Sequence, residues 1–148
     1  MNITRVAIVG LGLLGGSIGL AVKARAPQIA TTGWDRDASV RERAAARGLV
    51  GTVCETAEAA VADADLVILC VPVGAMGDAA RAIAPGLKPD AIVSDVGSSK
   101  AAVAEALAAA LPGATIIPAH PVAGRCRDDR MRRSQGPPEE LACDSPQA

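Results

Sequence analysis

The stretch RVAIVGLGLLGGSIGLAVKAR, Arg5 to Arg25, changes character at its glycines. Before Gly10 it is an unbroken run of small and β-branched apolar residues, the pattern of a strand buried on both faces. Beyond Gly12 the apolar run continues long enough for a helix, expected from Leu14 to about Arg25. Gly10, Gly12 and Gly15 mark the junction with the spacing G-x-G-x-x-G. In a strand–turn–helix corner the first glycine permits the tight turn, the second lets a diphosphate approach the backbone, and the third lets helix and strand pack closely. The helix N-terminus adds free N–H groups and the positive end of a dipole. Leu13 and Leu14, lying between the glycines, are counted with Gly10, Gly12 and Gly15 as candidate cofactor-binding residues.

The same stretch, with Arg5 ahead of it and ARA behind, imitates a secretory signal. Its five glycines between Gly10 and Gly19 argue against that reading, because each Gly within a helix costs about 1 kcal/mol relative to Ala.

Outward from this corner, short β-branched runs alternate with Ala-rich helical stretches, which predicts an α/β fold with a parallel sheet and crossover helices. IATTGWD reads as a second strand, and Ala38 to Arg47 as a helix closed by Gly48. A brief strand near Thr52 to Cys54 leads to a helical turn through Ala57 to Ala62. DLVILCVP is the most strand-like run, and Val71 and Pro72 at its end are further candidate cofactor-binding residues. Gly74 to Ala84 is expected as a helix, AIVSDV as a strand, Lys100 to Leu111 as a helix and ATIIPA as the last strand.

Asp35 closes the second strand, where a carboxylate can accept hydrogen bonds from an adenosine ribose; alternatively it caps the helix that follows. The ribose role favours NAD, whereas Arg36 beside it could lie over the adenine or meet the 2′-phosphate of NADP. Trp34 is expected in the core of that strand, and Cys70 to be a buried thiol within LVILCV. SDVGSSK, Ser94 to Lys100, ends a later strand on the same edge of the sheet. Ser98 or Ser99 there could be a plain helix cap. His120, the single histidine, also follows a strand, so Ser98 and His120 converge on the edge where open α/β sheets collect ligands.

Composition narrows the partners. Half of the 148 residues are apolar, enough for one domain with a sizeable core, although Trp34 is the only aromatic residue. Fifteen basic and sixteen acidic side chains leave a formal charge of −1, so there is no global field to gather nucleic acid or an anionic membrane. Cys54, Cys70, Cys126 and Cys143 form no C-x-x-C pair, and one histidine is too few for a zinc site, so no metal is expected. The near-neutral charge points to a small-molecule substrate held by local geometry, and the cysteines, read as reduced thiols, to a cytoplasmic protein. After Gly124 the pattern stops: RCRDDRMRRSQGPPEELACDSPQA carries ten charges and three prolines, with Met131 and Leu141 its sizeable apolar residues. Residues 1–124 are therefore expected to form the domain and 125–148 an unstructured tail.

Taken together, VAIVGLGLLGGSIGLAVK, ADLVILCVPV, IVSDVGSSK and IIPAHPVAG resemble the nucleotide-binding domain of the prephenate/arogenate (cyclohexadienyl) dehydrogenase family over about Ile3 to Gly124. The resemblance implies a Rossmann-type doubly wound sheet, NAD or NADP as cofactor, and a place in tyrosine biosynthesis. It further implies that prephenate or arogenate gives a hydride to nicotinamide and a proton to a base as CO2 leaves. By the same resemblance His120 matches the histidine that hydrogen-bonds the reacting hydroxyl, and Ser98 the serine that orients it. Family members continue into a helical second domain that forms a homodimer and holds the substrate carboxylate. HPVAG is followed here by an unrelated tail, which points to a truncated and catalytically impaired form that has left the family's reading frame. The alternatives are a dinucleotide-binding fragment without catalysis and another reductase with the same fold.

Overall fold

The computed structural model describes residues 2–119, and the expectations for His120 and for the segment 125–148 lie outside them. Six strands form one all-parallel sheet: β1 Arg5–Val9, β2 Ala30–Trp34, β3 Thr52–Val53, β4 Leu66–Leu69, β5 Ile92–Asp95 and β6 Thr115–Pro118. Their order across the sheet is β3-β2-β1-β4-β5-β6. The direction of winding reverses between β1 and β4, paired from Val6 opposite Leu66 to Val9 opposite Leu69. Five helices connect the strands: α1 Leu13–Arg25, α2 Ala38–Arg47, α3 Ala57–Val61, α4 Met76–Ile83 and α5 Lys100–Ala110.

Alternation along β1 divides the core. Ala7 and Val9 point to one face, where Val67, Leu69 and Val93 meet Val61, Met76, Ile83, Val103 and Leu107 of α3, α4 and α5. Val6 and Ile8 point to the other face and pack with Leu11, Ala44 and Val50, flanked by Ile18 of α1. Over β4 to β6 the described residues cover that second face only in part, and Ile117 is 50% exposed. No helix among the described residues is long and apolar enough to cross a membrane.

Element boundaries follow local chemistry. Gly48 ends α2 in the left-handed conformation (φ 60°, ψ 40°), which a residue without Cβ adopts at little cost. The helix expected over Gly74 to Ala84 is shorter. It opens as a 3-10 turn, Val73–Ala75, becomes α-helical at Met76, and tightens again over Ala84–Gly86. Gly74 weakens the first turn, and Pro85 has no N–H with which to continue the last. Ser99 occupies the N-cap position of α5, but its side chain makes no capping hydrogen bond, so neither serine serves as the side-chain cap that the sequence suggests.

Asp65 anchors the start of the sheet. Its carboxylate accepts hydrogen bonds from Thr4 N at 2.8 Å, Thr4 Oγ1 at 2.9 Å and Arg5 N at 3.0 Å, and pairs with Lys88 Nζ at 2.7 Å. The Lys88 bond, followed by those from Thr4 and Arg5, holds the Asp65 carboxyl far below its ordinary value of 3.8, and the same pair raises Lys88. Because the folded carboxyl is the stronger acid, its stabilisation is fully present above the unfolded pKa near 4 and is lost as pH falls through the folded value. Asp65→Asn should therefore lower the melting temperature at about pH 7, and the gap from the parent should begin to narrow below about pH 4 and go on narrowing down to about pH 2. Thermal melts followed by circular dichroism across that range would show it; a gap independent of pH would assign the loss to packing.

Candidate nucleotide site at the C-terminal edge of the sheet

The glycine corner sits at the C-terminal end of β1, beside the switch point. Gly10 has φ +94°, and a Cβ there would lie 2.6 Å from the carbonyl oxygen of Cys70. A Cβ on Gly15 would lie 1.9 Å from the Gly10 carbonyl oxygen. Both positions are closed to side chains by the protein's own backbone. Gly12 differs: its φ of −70° suits any residue, and a Cβ there would meet nothing within 4 Å. Gly12 is also the N-cap of α1, where no side chain caps the helix and no acidic residue occupies the first turn. The positive end of α1 therefore opens at a position that the fold does not need to keep bare.

Asp35 follows β2 and reaches back to this corner. Its Oδ2 accepts the Leu11 N–H at 2.9 Å, and its Oδ1 accepts the Asp37 N–H at 2.9 Å. The cap of α2 is Asp37, whose Oδ1 accepts from Ser39 N at 2.8 Å, so the capping alternative for Asp35 is not realised. The bond from Ser39 holds the Asp37 carboxyl below its usual value.

A cleft of about 370 Å³ runs from the glycine corner along the ends of β2 and β4 to α4, at the small end of the range for small-molecule sites. It brings together Gly10, Gly12, Asp35, Arg36, Val71 and Pro72 of the residues singled out in the sequence. Gly15 is buried beneath the corner. Leu13, 92% exposed, lines a neighbouring groove against α2 instead, and Leu14 is 39% exposed at the helix start. Ser98 is exposed in the loop after β5 and does not line the cleft. Ahead of it, buried Asp95 shapes that loop by accepting the Gly97 N–H at 2.7 Å.

Other wall residues were not marked by the sequence. Trp34, expected in the core, is half-buried: it packs against the core on one side and lines the cleft on the other, with its indole N–H donating to the Glu55 carbonyl at 3.2 Å. Cys70 is likewise half-buried in the cleft wall rather than deep in the core, and burial pushes its thiol up to about 12. A thiol so protonated is a poor nucleophile at neutral pH. Ala75, Asp78, Ala79 and Ala82 complete the wall. Their spacing of three and four places them on one helical face, but alanines carry no chemical signal of a site. Among the described residues no cluster of three or more His, Cys, Asp or Glu could hold a metal ion.

A parallel sheet in this strand order, with a glycine corner at the switch point and a carboxylate closing β2, defines a Rossmann-type nucleotide-binding domain. Residues 18–129 match the family described as prephenate dehydrogenase, nucleotide-binding domain, and the chain belongs to that family. A cyclohexadienyl dehydrogenase of Zymomonas mobilis is 47% identical over 119 residues, which are 80% of this chain and 41% of that protein. Among solved structures, prephenate dehydrogenase from A. aeolicus in complex with hydroxyphenyl propionate and NAD+ superposes with a TM-score of 0.73 at 26% identity, covering 84% of this chain and 43% of that one. Synechocystis arogenate dehydrogenase gives a TM-score of 0.72 at 32% identity, covering 82% and 42%. The chain thus spans about two fifths of the length of these relatives.

The three glycines should separate under mutation. Gly15→Ala and Gly10→Ala force backbone apart and should each cost at least about 2 kcal/mol, whereas Gly12→Ala should cost less than about 1 kcal/mol. Urea unfolding of the three variants measures this. Equal losses at all three positions would mean that Gly12 is also required by the fold.

Proposed function

We propose that this domain holds a nicotinamide dinucleotide, NAD in preference to NADP, and serves a dehydrogenase acting on prephenate or arogenate. Gly12 carries the reading: the packing that closes Gly10 and Gly15 to side chains leaves Gly12 open, at the uncapped N-terminus of α1, where a diphosphate needs a bare backbone. The residues present fit such a cofactor. The main chain of Gly12, Leu13 and Leu14 would meet the diphosphate at the helix start, Asp35 the adenosine ribose, and Val71 and Pro72 the opposite wall of the cleft, with Arg36 exposed at its rim. The Asp35 carboxylate is already aimed at the corner by Leu11 and Asp37, and each of its oxygens retains further acceptor capacity for ribose hydroxyls.

The bound nicotinamide would supply the hydride acceptor. The chain's own part in the chemistry falls to His120, which takes the proton of the substrate hydroxyl, and to Ser98, which orients that imidazole. A neutral imidazole suits a proton acceptor because its ordinary pKa lies near operating pH. Both assignments rest on the match of DVGSSK and HPVAG to the family's phrases, with Ser98 on the loop after β5 and His120 just beyond Ala119, outside the described residues. Substrate, catalysis and the homodimer of the resemblance are likewise carried over from the family.

Titration of NADH into the purified chain, followed by Trp34 emission and by calorimetry, tests the cofactor site. Quenching or energy transfer is expected, and silence in both at millimolar cofactor would remove the assignment. Asp35→Ala should weaken NADH by about ten- to a hundredfold, the worth of a hydrogen bond to a charged group, and NADPH by less. Equal losses would leave Asp35 without a ribose role. With this domain joined to the helical second domain of a family member, His120→Asn should lower NADH production from prephenate or arogenate by about 10²- to 10⁴-fold at nearly unchanged NADH affinity, and a loss of less than a few-fold would leave His120 without that role.

A further inference from the structure

Arg41 lies on α2, outside the cleft, with its side chain 16% exposed. One Nη donates to the Asp35 carbonyl at 2.8 Å and, at a longer 3.4 Å, to that of Arg36. The other Nη donates to the Glu55 carboxylate at 3.3 Å, and the Glu55 carbonyl accepts the Trp34 indole N–H. One planar guanidinium therefore ties α2, the corner after β2 and the loop after β3. Arg41 Nε is buried with no partner among the described residues, so the ties run through the two Nη groups.

The main chain that Arg41 grips is that of the two residues whose side chains differ in what they would accept. The Asp35 carboxylate suits a ribose bearing a 2′-hydroxyl, and the Arg36 guanidinium suits one bearing a 2′-phosphate. Which of them faces the ribose depends on a backbone corner only two residues long. With its carbonyl held by Arg41 and its carboxylate by Leu11 and Asp37, Asp35 is fixed from both ends.

We infer that Arg41 is a positioning residue for nucleotide selectivity: by holding the carbonyls of Asp35 and Arg36 it keeps the carboxylate against the glycine corner while Arg36 stays at the exposed rim of the cleft. The inference rests on the dinucleotide reading of the cleft and adds to it a selector that touches no ligand. Lysine cannot replace it fully, because an ammonium can reach one carbonyl but cannot span the corner and Glu55 as a planar fork does.

The test is calorimetric titration of NADH and of NADPH into the parent chain, Arg41→Met and Arg41→Lys, with backbone hydrogen exchange of the ligand-free proteins. Arg41→Met is expected to weaken NADH about tenfold and NADPH less, so that the ratio of the two dissociation constants shifts at least about threefold toward NADPH, with Arg41→Lys in between. Exchange should quicken at the Leu11 and Asp37 amides, whose acceptor is Asp35, and stay unchanged in α5. If Arg41→Met does not fold, the Lys variant carries the same comparison. Equal losses for the two nucleotides, or an unchanged ratio, would reduce Arg41 to a structural brace and overturn the inference while the cofactor site stands. A parent chain that binds neither nucleotide would overturn both.

Discussion

The fold depends on how closely the backbone of α1 approaches its neighbours. Gly15, Gly16 and Gly19 are all buried, and a Cβ on them would lie 1.9 Å from the Gly10 carbonyl oxygen, 2.9 Å from a Leu49 methyl and 2.2 Å from the Leu49 carbonyl oxygen. Three glycines in thirteen helical residues weaken the helix by about 1 kcal/mol each, so α1 is held by packing and not by propensity. At Gly15 and Gly19 the helix is therefore placed by contacts between main chains, which are harder to deform than contacts between side chains. The strand ends that flank the cleft inherit their spacing from this approach.

Around that fixed corner the remaining walls are attached by polar ties. Asp35 joins β2 to the glycine turn, Asp37 starts α2, and Trp34 and Arg41 both reach Glu55. Small apolar residues from α4 form the opposite side. One half of the site is thus set by steric exclusion and the other by hydrogen bonds, which fits a cleft that must be rigid where a diphosphate would rest and chemically selective where a ribose would be read.

What the sequence made legible was local and periodic. The unbroken apolar run before Gly10, the glycine spacing and the Gly48 stop each specify a backbone outcome within a few residues, and strands and helices came out in the expected order. Boundaries shifted where two local preferences competed, as between Gly74 and Pro85 around α4. The capping carboxylate lay two residues beyond Asp35, because Asp35 is drawn to the Leu11 amide by a contact spanning 24 residues. Trp34 and Cys70 read as core because hydrophobicity cannot tell a packed wall from the wall of a cleft. Arg41 gave no signal at all, since at the corner after β2 it grips main-chain carbonyls that every residue possesses, and its acidic partner Glu55 lies fourteen residues away.

The native surface keeps Leu13, Leu14, Leu20 and Ile117 in water, and the sheet is covered more fully on the side of α3, α4 and α5 than on the other. Apolar area that is already hydrated before unfolding adds nothing to the heat capacity or denaturant sensitivity of the transition. The stability of this domain should consequently vary with temperature along a shallower dome than a fully clad sheet of the same length would give. Any further apolar area buried against the partly covered face would deepen that curvature as well as raise the maximum, so calorimetric curvature, and not only the midpoint, registers how fully that face is covered.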